Sequence, residues 1–465
     1  MIVTIEKSFR TSLLEACTKA KTIGKNILVS YVKEVQWQDP LLFYARGKQL
    51  YNGERFYWSE PTTNMTITGI GFVTSIKSDK DKPFTHIQAE WSKMEQACIL
   101  HQQEAVIGTG PLLFGGFTFD SQKEKTRLWE EFANAWFVLP TFMLTSKDTK
   151  QYMTANIFVT PHTDAEEVYE AYKRSERELF HDIHMTWEEP AIVGEEEVYP
   201  VEWMNLVQEA VDTMKQSDIE KIVLARELKL TFDENIDSFY VLKNLHEQQT
   251  SSYLFSFDTS TSCFIGATPE RLIRKEGNQL TSMCLAGTIG RSETEIEDTK
   301  NYHELLNDAK NIREHKIVVQ MIRGVMEEVC DTVNIPAEPT ILAVRNLYHL
   351  YTPVCANTNE AIHFVDIVEK LHPTPALGGY PKEEALSFIR EKEMLDRGWY
   401  AAPIGWMDGQ QNGEFAVAIR SGLVKGKDVS LFAGCGIVEE STPVAEYEET
   451  RIKFKPMLAA LGGTK

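Results

Sequence analysis

Two apolar segments, GEFAVAIRSGLV (413–424) and VSLFAGCGIV (429–438), follow each other along the chain, and each is predicted to form a buried strand. Two earlier segments, SYLFSF (252–257) and SCFIGA (262–267), form a second succession of strands. The helical stretch from about Glu293 to Cys330 is inserted between the two successions instead of alternating with single strands. This order predicts an α+β fold with mainly antiparallel sheet, and it disfavours a doubly wound parallel fold.

Composition bounds the class of protein. The 465 residues carry a formal net charge of -20, which disfavours nucleic-acid binding because that needs clustered Lys and Arg. The seven cysteines are scattered without a CxxC pair, as is typical of a reducing compartment. The N-terminus lacks the apolar core of a signal peptide, and no apolar stretch is long enough to span a bilayer. We therefore expect a cytoplasmic protein without a membrane or nucleic-acid partner.

The segment TWEEPAIVGEEEVYP (186–200) is acidic, contains prolines and has no clean period, so it is predicted to connect two parts of the chain. On this interpretation residues 1–190 form an N-terminal half and residues 200–465 a C-terminal catalytic region.

Three short segments resemble known functional motifs but lack a residue that the motif requires. HELLN has no second histidine for zinc, GTGPLL lacks the last glycine of a dinucleotide fingerprint, and GTIGRSE is not followed by the GK[ST] of a phosphate-binding loop.

The strand at 429–438 leads into a predicted helix within LFAGCGIVEESTPVAEYEETRIK (431–453). Glu446, Glu449 and Lys453 stand at i, i+3 and i+7, so they share one helical face. The helix follows two glycines, Gly434 and Gly436, where no side chain covers the backbone. One interpretation is a solvated helix with a stabilising Glu–Lys pair, and the other is a charged binding surface beside the glycines.

Two further residues are candidates for acid–base chemistry. Lys221 begins KIVLARELKL (221–230) on a strand face that is otherwise small and apolar. A buried ammonium is unfavourable unless it is paired, so Lys221 either serves as a general base or extends into water from the end of the strand. Glu270 in FIGATPERL (264–272) follows a proline that ends a strand, which places it at a strand-end loop. It is either catalytic, a helix-start residue or the partner of the next arginine.

Three other positions leave alternatives open. Glu314 in NIREHKIVVQMI (311–322) is either a metal ligand or part of a polar helix face. Arg420 ends the predicted strand EFAVAIR, and its planar guanidinium suits a carboxylate ligand or a structural ion pair. HPTPALGGYP (372–381) is a rigid loop that forms either a pocket wall or a plain connection.

Taken in order, these segments resemble the chorismate-utilising enzymes, which comprise isochorismate, anthranilate, aminodeoxychorismate and salicylate synthases. The resemblance runs from about Lys221 to Lys453, more than half of the chain, and it rests on KIVLAR, GATPERL, LAGT, REH, LYHL, HPTPALGG, AIRSG and FAGCGIV…STPVAEYEETRIK. An ordered set of this kind is far more specific than any one of its members. FGGFTFD (114–120) is also similar to a GGFSFD segment of the family.

The resemblance implies one α+β unit of large antiparallel sheets packed face to face with helices outside, as in anthranilate synthase component I and aminodeoxychorismate synthase. On that view residues 186–200 are a connection within the fold. It also implies magnesium as the cofactor, chorismate (a dicarboxylate) as the substrate, and a monomer. Magnesium prefers oxygen ligands and keeps several waters, so few protein carboxylates suffice.

The family's functional residues carry over onto matching positions. Lys221 matches the base that activates water, and Glu270 matches the acid that protonates the leaving 4-hydroxyl. The implied magnesium ligands are Glu314 and Glu449, with Glu446 as a supporting carboxylate through water. The implied substrate-binding positions are Arg420 and Lys453 for carboxylates, Gly287, Gly434 and Gly436 for close backbone approach, and His349, Ala376, Leu377 and Tyr400 for the pocket wall.

Lys221 also discriminates within the family, because the ammonia-using anthranilate synthases typically have no lysine here. The PIAGTRPRG-type signature of the amide-dependent members is absent, and the segment reads CLAGTIGRS (284–292). Water is therefore the expected nucleophile, and isochorismate synthase of the menaquinone pathway is the expected activity. The alternatives are salicylate synthase and a siderophore-pathway isochorismate synthase. Anthranilate or aminodeoxychorismate synthase, or a catalytically silent chorismate-binding relative, fit less well.

Overall fold

The computed structural model describes residues 2–80, 82–181, 189–344, 347–358 and 362–463, with side chains from residue 9 onward. Within these ranges the chain forms eleven α-helices, a 3-10 helix at Arg127–Trp129 and twenty-one strands. The helices are α1 (Ile2–Ile23), α2 (Pro40–Leu50), α3 (Pro83–Gln96), α4 (Ala165–Leu179), α5 (Pro200–Met214), α6 (Ser238–Gln248), α7 (Glu295–Asn307), α8 (Ala309–Val329), α9 (Phe364–Leu371), α10 (Lys382–Lys392) and α11 (Pro443–Ala460).

The strands range in length from two residues in β17 to fourteen in β3. They are β1 (Ile27–Val35), β2 (Arg55–Glu60), β3 (Met65–Ser78), β4 (Ile99–His101), β5 (Leu112–Phe117), β6 (Ala135–Lys147), β7 (Lys150–Val159), β8 (Ile192–Glu197), β9 (Lys221–Phe232), β10 (Tyr253–Asp258), β11 (Cys263–Thr268), β12 (Arg271–Glu276), β13 (Gln279–Gly290), β14 (Cys330–Asn334), β15 (Thr340–Ala343), β16 (Leu347–Thr358), β17 (Gly379–Tyr380), β18 (Pro403–Asp408), β19 (Gly413–Val417), β20 (Ser421–Lys425) and β21 (Asp428–Ile437).

One ladder of hydrogen bonds connects these strands, and it branches at β6. One edge of β6 pairs with β3, and this arm continues through β2, β10, β11, β20, β21 and β9, with β8 and β17 also on β9. The other edge of β6 pairs with β5 in its first half, and this second arm continues through β18, β19, β12, β13 and β16. The described pairings are antiparallel except that of β1 with β4.

Aromatic side chains fill the space between the two arms. Phe56 of β2 stacks on Phe114 of β5 with ring centroids 4.3 Å apart, so the first arm packs directly on the second. Trp129 of the 3-10 helix stacks on Phe432 of β21 with ring centroids 5.6 Å apart. Burial of such large apolar side chains supplies the main favourable free energy of folding. The predicted α+β fold of antiparallel sheets packed face to face is confirmed.

One predicted strand was wrong in its extent. The segment 413–424 is not a single strand, because β19 ends at Val417 and β20 begins at Ser421. β19 belongs to the second arm and β20 to the first, so the chain crosses between the arms at residues 418–420. Arg420 therefore does not end a strand. It lies in the crossing with φ of 51°, a left-handed conformation that is uncommon for a residue with a side chain.

Two other predicted segments are refined. The helical stretch from about Glu293 divides at Asp308, whose carboxylate accepts a hydrogen bond from the Asn311 amide and caps α8. Residues 186–188 of the predicted connection lie outside the described residues, and the rest contains β8, which pairs with β9. In the described part of the chain, no helix has both the length and the apolar character needed to cross a membrane.

Candidate active site

A central cavity of about 180 Å³ lies where β9, β13 and β21 meet the helices α8 and α11. Predicted site residues form much of its wall: Gly287 from β13, Glu314 from α8, Gly434 and Gly436 from β21, Glu449 and Lys453 from α11, and Glu270, His349, Ala376, Leu377, Tyr400 and Arg420 from other strands and loops. Two predicted residues, Lys221 and Glu446, contact this wall from behind. We call this space the central cavity.

Lys221 is buried, with 1% of its surface exposed, and its ammonium is paired. Its Nζ donates to Glu314 Oε1 at 2.5 Å, which joins the first residue of β9 to the second turn of α8. Burial of an ammonium is tolerated here because the carboxylate compensates its charge. The alternative in which Lys221 extends into water is therefore wrong.

Glu449 and Lys453 form a second ion pair on the same wall. Lys453 Nζ donates to Glu449 Oε1 at 2.5 Å and to the carbonyl oxygen of Gly434 at 3.0 Å. Burial opposes the charge of Glu449, but the charge and hydrogen bond of Lys453 hold the pKa of this carboxyl below its ordinary value. Both residues therefore line the cavity, although the Glu449 side chain keeps 40% of its surface exposed.

Glu446 lies one turn earlier on α11 and does not reach the cavity. Its Oε1 accepts a hydrogen bond of 2.6 Å from Ser441 Oγ and lies 4.0 Å from the ammonium of Lys310. Burial, followed by the charge of Glu449, raises the pKa of Glu446. Glu446 thus stands behind Glu449, where it can act on the cavity only through another group.

Glu270 follows β11 and lines the central cavity. Its backbone carbonyl accepts from Val417 and its amide donates to Thr268 Oγ1, which fixes the loop between β11 and β12. Burial raises the pKa of Glu270 to about 7, although the charges of Lys221, Arg420 and Lys453 act against this shift. A carboxyl in this state can hold a proton near neutral pH and release it to a bound molecule.

His349 and Arg420 complete the polar wall. Burial, and then the charges of Arg420 and Lys453, lower the pKa of His349 to about 3, so its imidazole is neutral. Its Nδ1 lies 2.8 Å from Thr288 Oγ1, while its buried Nε2 has no hydrogen-bond partner among the described residues. Arg420 has no ion-pair partner among these residues either, so its alternative role as half of a structural ion pair finds no support.

Two charged residues of the wall, Arg397 and Lys310, were not predicted from the sequence. Arg397 is buried and holds the wall together: Nη2 donates to the Val223 carbonyl at 2.7 Å, Nη1 donates to the Leu377 carbonyl at 3.0 Å, and the guanidinium pairs with Glu393. Lys310 lies one helical turn before Glu314 and lines the same cavity. The i, i+4 spacing of Lys310 and Glu314 was a usable signal, whereas nothing local marked Arg397.

The carboxylates of this wall suit a hard divalent cation, since magnesium takes oxygen ligands. In the arrangement described, no three His, Cys, Asp or Glu side chains of the described residues come together as a ligand set. Instead Glu314 and Glu449, both on the wall, each hold one lysine ammonium. The donor chemistry and the shared cavity fit a magnesium ion, with the ammonium groups as the charges that it would replace.

Known proteins are similar to this chain over nearly its whole length. Residues 13–462 match the family model described as chorismate binding enzyme. The chain is 42% identical to isochorismate synthase MenF of Bacillus subtilis over 472 aligned positions, which cover 100% of both proteins. It is 31% identical to the salicylate biosynthesis isochorismate synthase of Pseudomonas aeruginosa, covering 98% of this chain and 95% of that protein.

A solved structure supports the fold independently. The menaquinone-specific isochorismate synthase MenF of Escherichia coli superimposes with a TM-score of 0.79, covering 97% of this chain and 100% of that one. The two sequences are 22% identical, so this match concerns the fold. The branched pair of sheets is therefore an architecture that a related sequence also adopts.

Proposed function

The chain belongs to the chorismate-binding enzyme family, and on that premise we propose that it is an isochorismate synthase, of the kind that supplies menaquinone formation. The reaction is an isomerisation: water adds at C2 of chorismate, the ring double bonds shift, and the 4-hydroxyl leaves. The observation that carries this proposal is that a buried lysine, Lys221, pairs with Glu314 on the wall of the central cavity, and a buried carboxyl, Glu270, lines the same cavity. The first suits a base for water, and the second suits an acid for the leaving oxygen.

The two groups divide the proton transfers. Lys221, which must be a neutral amine for this step, takes a proton from the attacking water as the new C2–O bond forms, and it then becomes the ammonium that pairs with Glu314. Glu270 gives a proton to the C4 oxygen as the C4–O bond breaks, so the substrate gains and loses one water equivalent. Glu270 can hold that proton near neutrality because burial raises its pKa to about 7. The opposite direction uses the same groups with their roles reversed, so the reaction is reversible.

Binding of the dicarboxylate substrate falls to the cations of the wall. Arg420 faces the cavity without an ion-pair partner among the described residues, and a guanidinium matches a carboxylate with two parallel hydrogen bonds. Lys453 is the second candidate, and the carbonyl of Gly434 fixes its ammonium. Glu314 and Glu449 would hold a magnesium ion, with Glu446 behind them, and the bound ion would neutralise and polarise the ring carboxylate of chorismate.

A product assay tests the function directly. The purified chain is incubated with chorismate and magnesium, with and without EDTA, and the products are separated by chromatography. We expect isochorismate without pyruvate, formed only when magnesium is free. Salicylate with pyruvate would instead identify a salicylate synthase, and a product that requires ammonia would identify an aminating enzyme. Size measurement in the same buffer tests the proposed monomer.

Glu449→Gln is expected to weaken magnesium binding and turnover together. The substitution removes the negative charge but keeps the size, and charge is the main attraction for a hard cation. We expect the magnesium dissociation constant to rise by about tenfold or more, since removal of a ligand or its support typically costs that much. Glu448→Gln, on the exposed face of the same helix, is the matched control. A parental magnesium titration in Glu449→Gln would remove this residue from the proposed ligands.

Gly436→Ala is expected to disturb the base while leaving the fold intact. An added Cβ would lie 2.6 Å from Lys221 Cε and 3.2 Å from Glu314 Oε1, so the ion pair must shift. These atoms are at the ends of flexible side chains, so the protein can adapt. Misplacement by about 1 Å can cost about 100-fold in rate. Turnover of Gly436→Ala should therefore fall while its thermal stability stays close to that of the parent. In the control Gly290→Ala, whose added Cβ meets nothing within 4 Å, both quantities should stay close to the parental values.

A further inference from the structure

A second space, which we call the side cavity, lies on the other side of the Lys221–Glu314 ion pair. It has a volume of about 380 Å³ and is bounded by the loop before β9, the start of α8 and residues 438–440 after β21. Glu314 and Lys310 line both the central and the side cavity, whereas Lys221 lines only the side cavity. The ion pair therefore forms the partition between the two spaces.

The two cavities differ in the charge of their walls. The central cavity has four basic residues against three acidic ones: Lys310, Arg397, Arg420 and Lys453 against Glu270, Glu314 and Glu449. The side cavity has five acidic residues against three basic ones: Asp218, Glu220, Glu314, Glu439 and Glu440 against Lys221, Lys310 and Arg313. A wall of one sign concentrates ions of the opposite sign. The side cavity thus attracts cations and repels a dianion.

We propose that the side cavity is a separate entrance through which the divalent cation reaches Glu314, while the anionic substrate uses the central cavity. This inference rests on the proposed function. Glu439 and Glu440 are exposed at the mouth, and Glu220 is occupied there by Arg313 at 3.0 Å. A cation that passes them meets the Lys221–Glu314 pair from its outer side. Movement of the lysine ammonium opens the partition and exposes the carboxylate.

A bulky substitution in the side cavity can distinguish an entrance from a binding site. An entrance that is narrowed slows association and dissociation by the same factor and leaves the dissociation constant unchanged. Ser217 lines the side cavity and is exposed, so Ser217→Trp narrows the space without removing a charge. Ser251→Trp, in an exposed turn that lines neither cavity, is the matched control.

The measurement follows magnesium itself. The dissociation rate is obtained by mixing the magnesium-loaded protein with an excess of the indicator mag-fura-2 in a stopped-flow instrument, and calorimetry gives the dissociation constant. For Ser217→Trp we expect both rate constants to fall by about fivefold or more, with a parental dissociation constant and a parental KM for chorismate. Unchanged rate constants in a folded variant would overturn the proposed entrance.

Charge reversal gives a second, independent test. Glu439→Lys/Glu440→Lys should slow magnesium association by about tenfold at low salt, with the difference shrinking as salt is added. Glu15→Lys/Glu234→Lys makes the same change of net charge at two exposed positions outside both cavities. Equal association rates in the two double variants would contradict the entrance. Neither measurement depends on which product is formed, so a parent enzyme that fails to make isochorismate overturns the proposed function alone.

Discussion

Lys221→Ala is expected to abolish isochorismate formation in a chain that remains folded and still binds chorismate. A positioned general base contributes about 10²–10⁴-fold to the rate, and its loss leaves water with no group to take its proton. Chorismate binding should change little, because the cations proposed to hold the carboxylates, Arg420 and Lys453, lie elsewhere on the wall. The loss should therefore fall on kcat and leave KM nearly unchanged.

The same substitution has a consequence for the metal. Lys221 is the ion-pair partner of Glu314 at 2.5 Å, so its ammonium competes with any cation for that carboxylate. Its removal should tighten magnesium binding even as turnover disappears. Calorimetric titration with magnesium and a product assay on the same preparation measure both effects. A general loss of structure would weaken binding and turnover together, so opposite changes exclude that explanation.

Lys229→Ala is the matched control, because Lys229 is an exposed lysine on the same strand β9 that lines neither the central nor the side cavity. It should retain parental turnover and magnesium affinity. If Lys221→Ala turned over chorismate at the parental rate, another group would have to serve as the base. Lys221 could then no longer be used to distinguish this chain from the ammonia-using members of the family.

Local pattern predicted the elements of this site better than their relations. The i, i+3, i+7 spacing correctly placed Glu446, Glu449 and Lys453 on one face of α11. Spacing alone did not show that Glu449 and Lys453 pair with each other while Glu446 turns to Ser441. A helical face is wide enough to touch two environments, and tertiary contacts decide which residue enters the cavity.

Relations over long sequence separations were beyond the sequence pattern. The pair of Lys221 and Glu314 joins residues 93 positions apart, and it exists because β9 and α8 are brought together by the packing of the whole fold. The crossing at Arg420 is a similar case. The apolar residues around it resemble one continuous strand, but those before it pair within the second arm and those after it pair within the first. Hydrogen bonding to different partners outweighed the local preference for a straight strand.

The buried arginine of the wall shows a third limit. Arg397 binds two carbonyl groups and Glu393, and these contacts hold the loop that carries Leu377 against β9. A single arginine in MLDRGWY has no periodicity and no motif of its own. Such positioning residues can be found only when the backbone groups that they satisfy are known.

Glu270→Gln is expected to be nearly inactive while its fold is retained. The amide keeps the shape of the side chain but cannot give a proton to the departing oxygen at C4. In the parent enzyme, the acid form is lost as the pH rises through the pKa of about 7, so turnover should fall on the alkaline side of that value. The residual turnover of Glu270→Gln should not show this fall on the alkaline side of about pH 7. Substantial activity with an unchanged pH profile would move the acid to another residue.

Stability provides a second measurement of the same carboxyl. The folded-state pKa of Glu270 is raised above its unfolded value, so the unfolded chain releases this proton at lower pH than the folded one. The free energy of unfolding of the parent should therefore decline between about pH 4.5 and pH 7, by an amount on the order of 3 kcal/mol. Glu270→Gln lacks this decline, so relative to the parent it should become progressively more stable across that range.

Glu414→Gln separates the chemical role of Glu270 from its burial. Burial also raises the pKa of Glu414 to about 7, but Glu414 accepts a hydrogen bond of 2.9 Å from the Tyr253 hydroxyl, lies 3.7 Å from Arg271 and does not line the central cavity. Its amide variant should show a similar relative gain in stability as the pH rises, while it keeps parental turnover and the same alkaline descent. If both variants lost turnover equally, burial of a neutral carboxyl would be a structural requirement of the fold. Loss of turnover in Glu270→Gln but not in Glu414→Gln would show that the proton of the Glu270 carboxyl takes part in the reaction.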